Sequence, residues 1–126
     1  MKLRMKGNSL RFRVAPSEVA RLLQTGRIEE TIRFALHEDA KLTYAVEHSA
    51  LQPELSIRYQ PHEVAVLLPT AEATRWAEGE PIGIYADLDV GGSKLAIAVE
   101  KDFACLHGDE RDKKDTFPNP HHGAVC

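Results

Sequence analysis

The sequence lacks the features that mark several common classes of protein. Only two of its 126 residues are cysteines, and a domain of this length buries enough surface to fold without a disulfide scaffold. No apolar run approaches the ~20 residues of a membrane span, and the N-terminus lacks the apolar core of a signal peptide. We therefore expect a cytoplasmic protein with no membrane partner.

Motifs with a known catalytic mechanism are also missing. The sequence contains no Gly-rich phosphate loop, no His-Glu-x-x-His and no nucleophile elbow, so we assign no catalytic residue and expect a non-catalytic binding protein. Glu100 and Asp102 lie two residues apart at the end of a strand, where carboxylates are usually solvated. An enzyme acting on a phosphorylated ligand is a remote alternative, because it requires Lys2, Arg4 and Lys6 to face inward, against the pattern of apolar residues.

The chain contains an internal repeat. Residues 41–48 recur as residues 94–101, with five of the eight positions identical. Upstream, residues 10–14 and 28–34 each match the residues 54 positions further along the chain. At the eight-residue segment the spacing falls to 53, which suggests that the second copy of the preceding turn is one residue shorter. We interpret the chain as a tandem duplication.

Each unit of the repeat is predicted to form two strands, a helix and two more strands (ββαββ). In the first unit, hydrophobic alternation on both sides of a Gly-Asn-Ser turn at residues 7–9 predicts a hairpin. Pro16 and Gly26 then mark the start and end of a helix of about ten residues. The second unit repeats this order, with a helix from Thr70 to Glu78.

A single unit of this kind exposes too much sheet to be stable alone, so the two units must bury their apolar faces together. We predict an α+β, mainly β fold: an eight-stranded antiparallel barrel or sandwich with pseudo-twofold symmetry and two short helices. One duplicated domain spans residues 1–104, with units of about 1–50 and 51–104. A C-terminal tail follows at residues 105–126. We expect a monomer, in which the units form a pseudo-dimer, or a small homo-oligomer.

Residues 5–30 resemble a known family. The Gly-Asn-Ser turn, an alternating strand running into Pro16, a short helix and a strand beginning after Gly26 are similar to the swapped-hairpin domain of AbrB and MazE-type regulators. Those domains dimerise by interleaving hairpins, so the resemblance implies that the duplication forms the dimer within one chain. It also implies DNA contact by the first hairpin, where Arg4 and Arg13 occupy positions that the family commonly makes basic.

The second unit departs from this pattern. Its first turn is Gln60-Pro61-His62, and Ala65 and Leu67 align with Arg11 and Arg13 of the first unit, so symmetric DNA recognition is not expected. The whole chain, with its segments Glu-Lys-Asp-Phe at residues 100–103 and Phe-Pro-Asn-Pro at residues 117–120, also resembles a bacterial family of unknown function, a resemblance that implies no activity.

The first hairpin is strongly basic. Residues 1–33 hold eight Lys and Arg residues against three acids, although the whole chain has a net charge of −3. Strand alternation places five cations on one side of the hairpin: Lys2, Arg4, Lys6, Arg11 and Arg13. Such a stripe can neutralise phosphates, and a β-ribbon can enter a groove of DNA. The alternatives are that these residues protect a strand edge or pair with Glu29 and Glu30 on a neighbouring strand.

The tail contains both cysteines and three of the six histidines. They form a possible ligand pool for zinc or copper: Cys105, His107, His121, His122 and Cys126. Other interpretations remain open: solvated histidines near the chain end, a buried free cysteine, a Cys105–Cys126 disulfide, or a docking segment for a protein partner. Phe117 offers an apolar anchor for the tail.

Overall fold

Where the structure describes the chain, eight strands and two short helices form a mainly β structure, as the hydrophobic periodicity predicts. The computed structural model describes residues 1–103 and 115–118. The first unit consists of β1 (Lys2–Met5), β2 (Ser9–Val14), α1 (Pro16–Thr25), β3 (Arg27–Arg33) and β4 (Lys41–Ser49). The second unit consists of β5 (Ser56–Gln60), β6 (Glu63–Pro69), α2 (Thr70–Glu78), β7 (Gly83–Asp89) and β8 (Lys94–Lys101).

Both helices lie where the sequence places them. Helix α1 begins at Pro16, whose fixed φ and missing N–H suit a first helical position. It ends before Gly26, which adopts a φ of 84°, the left-handed conformation that glycine accepts at helix ends. Helix α2 packs through Ala73 and Trp76, which are 0% and 1% exposed. Within the described residues, neither helix has the length and apolar content needed to cross a membrane.

The strands form two four-stranded sheets. The first sheet has the order β1-β2-β8-β7 and the second has the order β3-β4-β6-β5. Each sheet therefore combines the first hairpin of one unit with the last hairpin of the other. The strands within each hairpin are antiparallel, but the central pairs, β2 with β8 and β4 with β6, are parallel.

This topology corrects two parts of the sequence prediction. The sheets are mixed rather than antiparallel throughout, and they do not close into a barrel. Hydrophobic alternation assigns each residue to a face of a strand but does not say which strand lies beside it. Because the units exchange hairpins, β8 lies next to β2 and runs in the same direction. Val14 therefore pairs with Lys101 at the C-terminal ends of the two strands.

The pairing preserves the approximate twofold relation between the units. Ser9 pairs with Ala96 in the first sheet, and their counterparts in the repeat, Glu63 and Thr43, pair in the second sheet.

The predicted match between β3 and β7 was wrong by two residues, however. Arg33 pairs with Lys41 while Asp89 pairs with Lys94, so β7 begins later after its helix and the following turn is three residues shorter. A shift of two keeps every side chain on its predicted face.

The hydrophobic core lies between the two sheets and is closed at one end by the helices. It includes side chains from both sheets and both helices, among them Phe12, Val14, Leu22, Val46, Val66, Leu68, Trp76 and Val99. Met5 is 56% exposed, although strand alternation places it on the same face as the inward-facing Leu3. Phe117 packs on this core, and its ring meets that of Phe103 edge to face at 6.0 Å. Phe117 thus anchors residues 115–118 as the sequence suggested.

Candidate functional site

Four of the five predicted cations lie on the outer face of the first sheet. Lys2 is the cross-strand neighbour of Arg13, and Arg4 is the neighbour of Arg11. Directly opposed residues point to the same face of a sheet. The intervening Phe12 is fully buried, so the cations point away from the core. The phosphate-ligand enzyme requires Lys2, Arg4 and Lys6 to face inward, and Lys2 and Arg4 face outward instead.

Two of the outward-facing cations are paired. The Nζ atom of Lys2 lies 3.1 Å from a carboxylate oxygen of Asp102, which is itself buried. Arg11 donates from its Nε atom to the carboxylate of Glu100. In the register of β2 and β8, Glu100 lies opposite Arg13, which is two residues further along β2 than Arg11. The two acids at the end of β8 therefore partly neutralise the hairpin.

Three cations of the hairpin have no such partner in the part of the chain that the structure describes. Within the described residues, no carboxylate lies within ion-pair distance of Arg4, Lys6 or Arg13. Arg4 and Lys6 are exposed and Arg13 is half-buried. Lys6 lies just beyond β1, in the turn, rather than on the strand. These three charges remain available to an anionic partner from solution.

The alternative partners expected for the hairpin, Glu29 and Glu30, make other contacts. Glu29 accepts a hydrogen bond from Arg27 at 2.5 Å. Glu30 accepts hydrogen bonds from the Met1 amino group at 3.1 Å and from the Tyr44 hydroxyl at 3.0 Å. The prediction that they pair with the basic hairpin is wrong, because β3 lies in the other sheet.

Beside the hairpin, β8 and β7 form a shallow depression in the same face. One row across the sheet runs from Arg11 through Ala98 to Tyr85, and the next runs from Ser9 through Ala96 to Asp87. The two alanines lie between larger neighbours and leave a depression of about 490 Å³. Its position directly beside Arg11 joins it to the basic hairpin in one surface.

A glycine next to Tyr85, which lines this depression, leaves room for the tyrosine hydroxyl. An added Cβ atom at Gly83 would lie 2.9 Å from the Tyr85 hydroxyl and 2.8 Å from the Cγ atom of Glu100. The missing side chain lets Tyr85 lean along its strand and donate a hydrogen bond to Glu100 at 2.6 Å. Burial and the adjacent carboxylate raise the pKa of Tyr85 to about 12, so its hydroxyl stays protonated at neutral pH. The ring remains 60% exposed.

The outer face of the second sheet is different, because an ion-pair network covers it. Arg58 donates two hydrogen bonds to Glu47, at 3.2 and 2.5 Å, and one to Glu63, at 3.0 Å. Arg27 pairs with the same two acids and with Glu29. The hydrogen bonds from Arg58 lower the pKa of both Glu47 and Glu63, since they stabilise the charged carboxylates.

This network covers the small residues in the middle of the second sheet. Ala45 and Ala65 are paired across β4 and β6 and have no exposed surface. Ala98, the counterpart of Ala45 in the repeat, is half-buried at the edge of the open depression. The two units thus share this one alanine, and the side chains around it differ.

A family model described as "Family of unknown function (DUF7009)" matches residues 1–121. The chain belongs to the DUF7009 family. This confirms the expected resemblance to a family of unknown function over nearly the whole chain. No curated protein and no solved structure matches it.

The proposed metal ligands of this DUF7009 chain lie outside the described residues. They are Cys105, His107, His121, His122 and Cys126. Among residues 1–103 and 115–118, no group of three or more His, Cys, Asp or Glu residues is placed to hold a metal ion. The zinc or copper site, the disulfide and the tail's protein partner therefore stay predictions.

Sequence reasoning missed the half of this surface that comes from the second unit. Tyr85, Asp87, Ala96 and Ala98 were not predicted to lie near the basic hairpin. One signal was present, since β8 alternates large apolar residues on its inner face with alanines on its outer face. The parallel pairing of β2 with β8 was needed to place those alanines beside Arg11.

Proposed function

We propose that the protein binds nucleic acid, without catalysis, through the outer face of the first sheet. The observation that carries this proposal is the set of three cations without an ion-pair partner in the described residues: Arg4, Lys6 and Arg13. A phosphate polymer that contacts such residues releases its condensed counterions, and this release drives binding.

The distribution of charge favours one face over the rest of the molecule. The chain carries a net charge of −3, so a polyanion is repelled on average and attracted only where cations are locally in excess. On the second sheet, Arg27 and Arg58 are already held by three glutamates. The basic hairpin is therefore the better place for an anionic partner.

The resemblance of residues 5–30 to AbrB and MazE-type regulators points to the same hairpin. Those domains interleave hairpins from two chains, and here the two units exchange hairpins within one chain. By this resemblance Arg4 and Arg13 are the positions expected to touch DNA. Both belong to the three cations without an ion-pair partner in the described part of the chain.

Fluorescence anisotropy with labelled oligonucleotides, over a range of salt concentrations, tests this proposal. We expect the logarithm of affinity to fall linearly with the logarithm of salt concentration, with a slope of about −2 to −3 for three phosphate contacts. Replacing Arg4 and Arg13 together by alanine should weaken binding at least about tenfold at low salt and flatten the slope by nearly two.

The matched control removes two cations from the second sheet. Arg33 and Lys41 are cross-strand neighbours with no ion pair among the described residues, and Arg4 and Arg13 likewise have none there. Replacing both by alanine changes the net charge equally and should leave the dissociation constant within about twofold. Equal losses in the two double variants, or a wild-type dissociation constant weaker than about 1 mM at low salt, would overturn the proposal.

A further inference from the structure

The depression beside the basic hairpin has the size of a small-ligand site. Its volume of about 490 Å³ lies within the range of pockets that hold small molecules and cofactors. Arg11 and Tyr85 flank Ala98 on the two adjoining strands, so they stand roughly 10 Å apart. The methyl groups of Ala98 and Ala96 form a flat apolar floor between them. A planar ring fits this space better than a branched aliphatic group does.

The side chains around this floor suit an aromatic ring with polar edges. The ring of Tyr85 is exposed, and its hydrogen bond to Glu100 fixes its orientation before any ligand arrives. Asp87 is exposed at the other end of the depression and has no hydrogen-bond or ion-pair partner in the described part of the chain. A carboxylate accepts hydrogen bonds from exocyclic amino groups, as carboxylates do from cytosine. The stacking surface and the hydrogen-bond acceptor thus lie on the same face of β7, roughly 7 Å apart along the strand.

The charges lie to one side of the depression. Arg4 is the cross-strand neighbour of Arg11, and Arg13 is two residues further along β2. Cations along β1 and β2, next to an aromatic ring on β7, match the pattern of single-strand binding, in which a basic groove follows the backbone and bases stack on aromatic side chains. In a duplex the bases are paired and stacked inside, so none can lie on the sheet.

We infer that the nucleic acid bound by this face is single-stranded and that one unstacked base occupies the depression between Arg11 and Tyr85, with Asp87 accepting a hydrogen bond from its amino group. This inference rests on the proposed function and specifies its ligand. The acceptor at Asp87 predicts a preference for bases with an exocyclic amino group over thymine or uracil.

Binding of short homopolymers tests the inference. We expect single-stranded oligo-dC to bind more tightly than oligo-dT and more tightly than a duplex of the same length. Tyr85→Ala should weaken oligo-dC binding about tenfold through loss of stacking, while Tyr85→Phe keeps the ring and should remain within about threefold of wild type. Ala98→Leu should also weaken binding by filling the depression.

The preference between bases isolates the role of Asp87. Asp87→Ala removes a negative charge and so strengthens the binding of every oligonucleotide, but the ratio of oligo-dC to oligo-dT affinity cancels that effect. We expect this ratio to fall towards one in the variant. Tyr59→Ala is the matched control for Tyr85→Ala, because Tyr59 is 75% exposed and lies on the second sheet.

The outcomes separate the two proposals. If no oligonucleotide binds, both fail. If binding is lost on removal of Arg4 and Arg13 but is unchanged by Tyr85→Ala and Ala98→Leu, or if a duplex binds more tightly than either single strand, the single-strand inference fails and the proposed function stands. A dC-to-dT ratio unchanged in Asp87→Ala would remove Asp87 from the site.

Discussion

The outer faces of the two sheets are built on the same repeated scaffold, but ion pairs cover the second, whereas the first is open and basic. In the second sheet, Arg58 is held by Glu47 and Glu63. Its counterpart in the first sheet is Arg4, and a serine occupies the position equivalent to Glu63. The first sheet keeps the arginine and has lost one of its acids, which leaves a charge available for binding.

The same contrast holds one strand away. Glu100 is the counterpart of Glu47, but it binds Arg11 and Tyr85 rather than the arginine on the edge strand β1. Tyr85 occupies the position equivalent to Glu29, as the pairing of both residues with the central alanines shows. Differences around a shared alanine, such as Tyr85 in the place of Glu29, distinguish a face covered by ion pairs from an open basic one. The inner-face residues of both units form the shared apolar core, so the outer faces can differ without loss of the fold.

The largest expected effect comes from placing the same larger side chain at equivalent positions of the two sheets. Ala45→Leu forces extra volume beneath the ion-pair network and should lower the free energy of unfolding by about 1–3 kcal/mol. Ala98→Leu projects into the open depression and should cost less than about 0.5 kcal/mol. Urea denaturation monitored by the fluorescence of the single, buried Trp76 measures both. Equal losses of unfolding free energy in the two variants would contradict the description of Ala45 as covered and Ala98 as open.

A smaller effect on stability is expected at a position where the second sheet carries an arginine and the first sheet has room only for glycine. Gly83 occupies the position equivalent to Arg27, and an added Cβ atom there would lie 2.9 Å from the Val99 carbonyl oxygen. Gly83→Ala should therefore destabilise the protein by about 1 kcal/mol, since the backbone must shift. It should also displace Tyr85 from Glu100 and lower the pKa of the Tyr85 hydroxyl, which ultraviolet titration measures. An unchanged tyrosine titration would show that Gly83 does not set this geometry.

An effect of similar size at pH 7 is electrostatic, and it shrinks as the pH falls. The folded state lowers the pKa of Glu47 below its unfolded value of 4.5, so the ion pair stabilises the fold above that pH and the stabilisation is lost as the pH falls through the folded pKa. Glu47→Gln should cost about 1 kcal/mol at pH 7, because the network is partly exposed to solvent. The difference from wild type should shrink as the pH falls below 4.5.

Glu38→Gln provides the control for this pH dependence, because Glu38 is exposed and has no ion pair among the described residues. It should change stability by no more than about 0.5 kcal/mol at pH 7. A difference between Glu47→Gln and wild type that stays constant from pH 7 to the acid transition would show that the ion pair contributes nothing.

Much of the fold could be predicted from local patterns. Alternation placed Phe12 and Val14 inside, and Pro16 and Gly26 bounded the first helix, because these signals depend on neighbouring residues in the chain. The position of β7 could not be predicted to the residue. The short apolar stretch after α2 fits two registers that differ by two residues and expose the same faces.

The site was predictable only in part, for the same reason. Arg4 and Arg13 share a face within one hairpin, so their proximity follows from strand periodicity. Tyr85 and Ala98 reach the same surface through the parallel pairing of β2 with β8, which joins residues more than eighty positions apart. No local pattern predicts that pairing, and the exchange of hairpins between repeats made the antiparallel expectation wrong.

Mapping of amide chemical shifts on addition of a single-stranded oligonucleotide tests the central claim most directly. The account predicts changes concentrated on the first sheet, over β1, β2, β7 and β8, and largest near Arg4, Arg13 and Tyr85. The amides of the second sheet should remain unchanged, since its central arginines, Arg27 and Arg58, are already paired. Changes centred on the second sheet, or spread evenly over both, would contradict it.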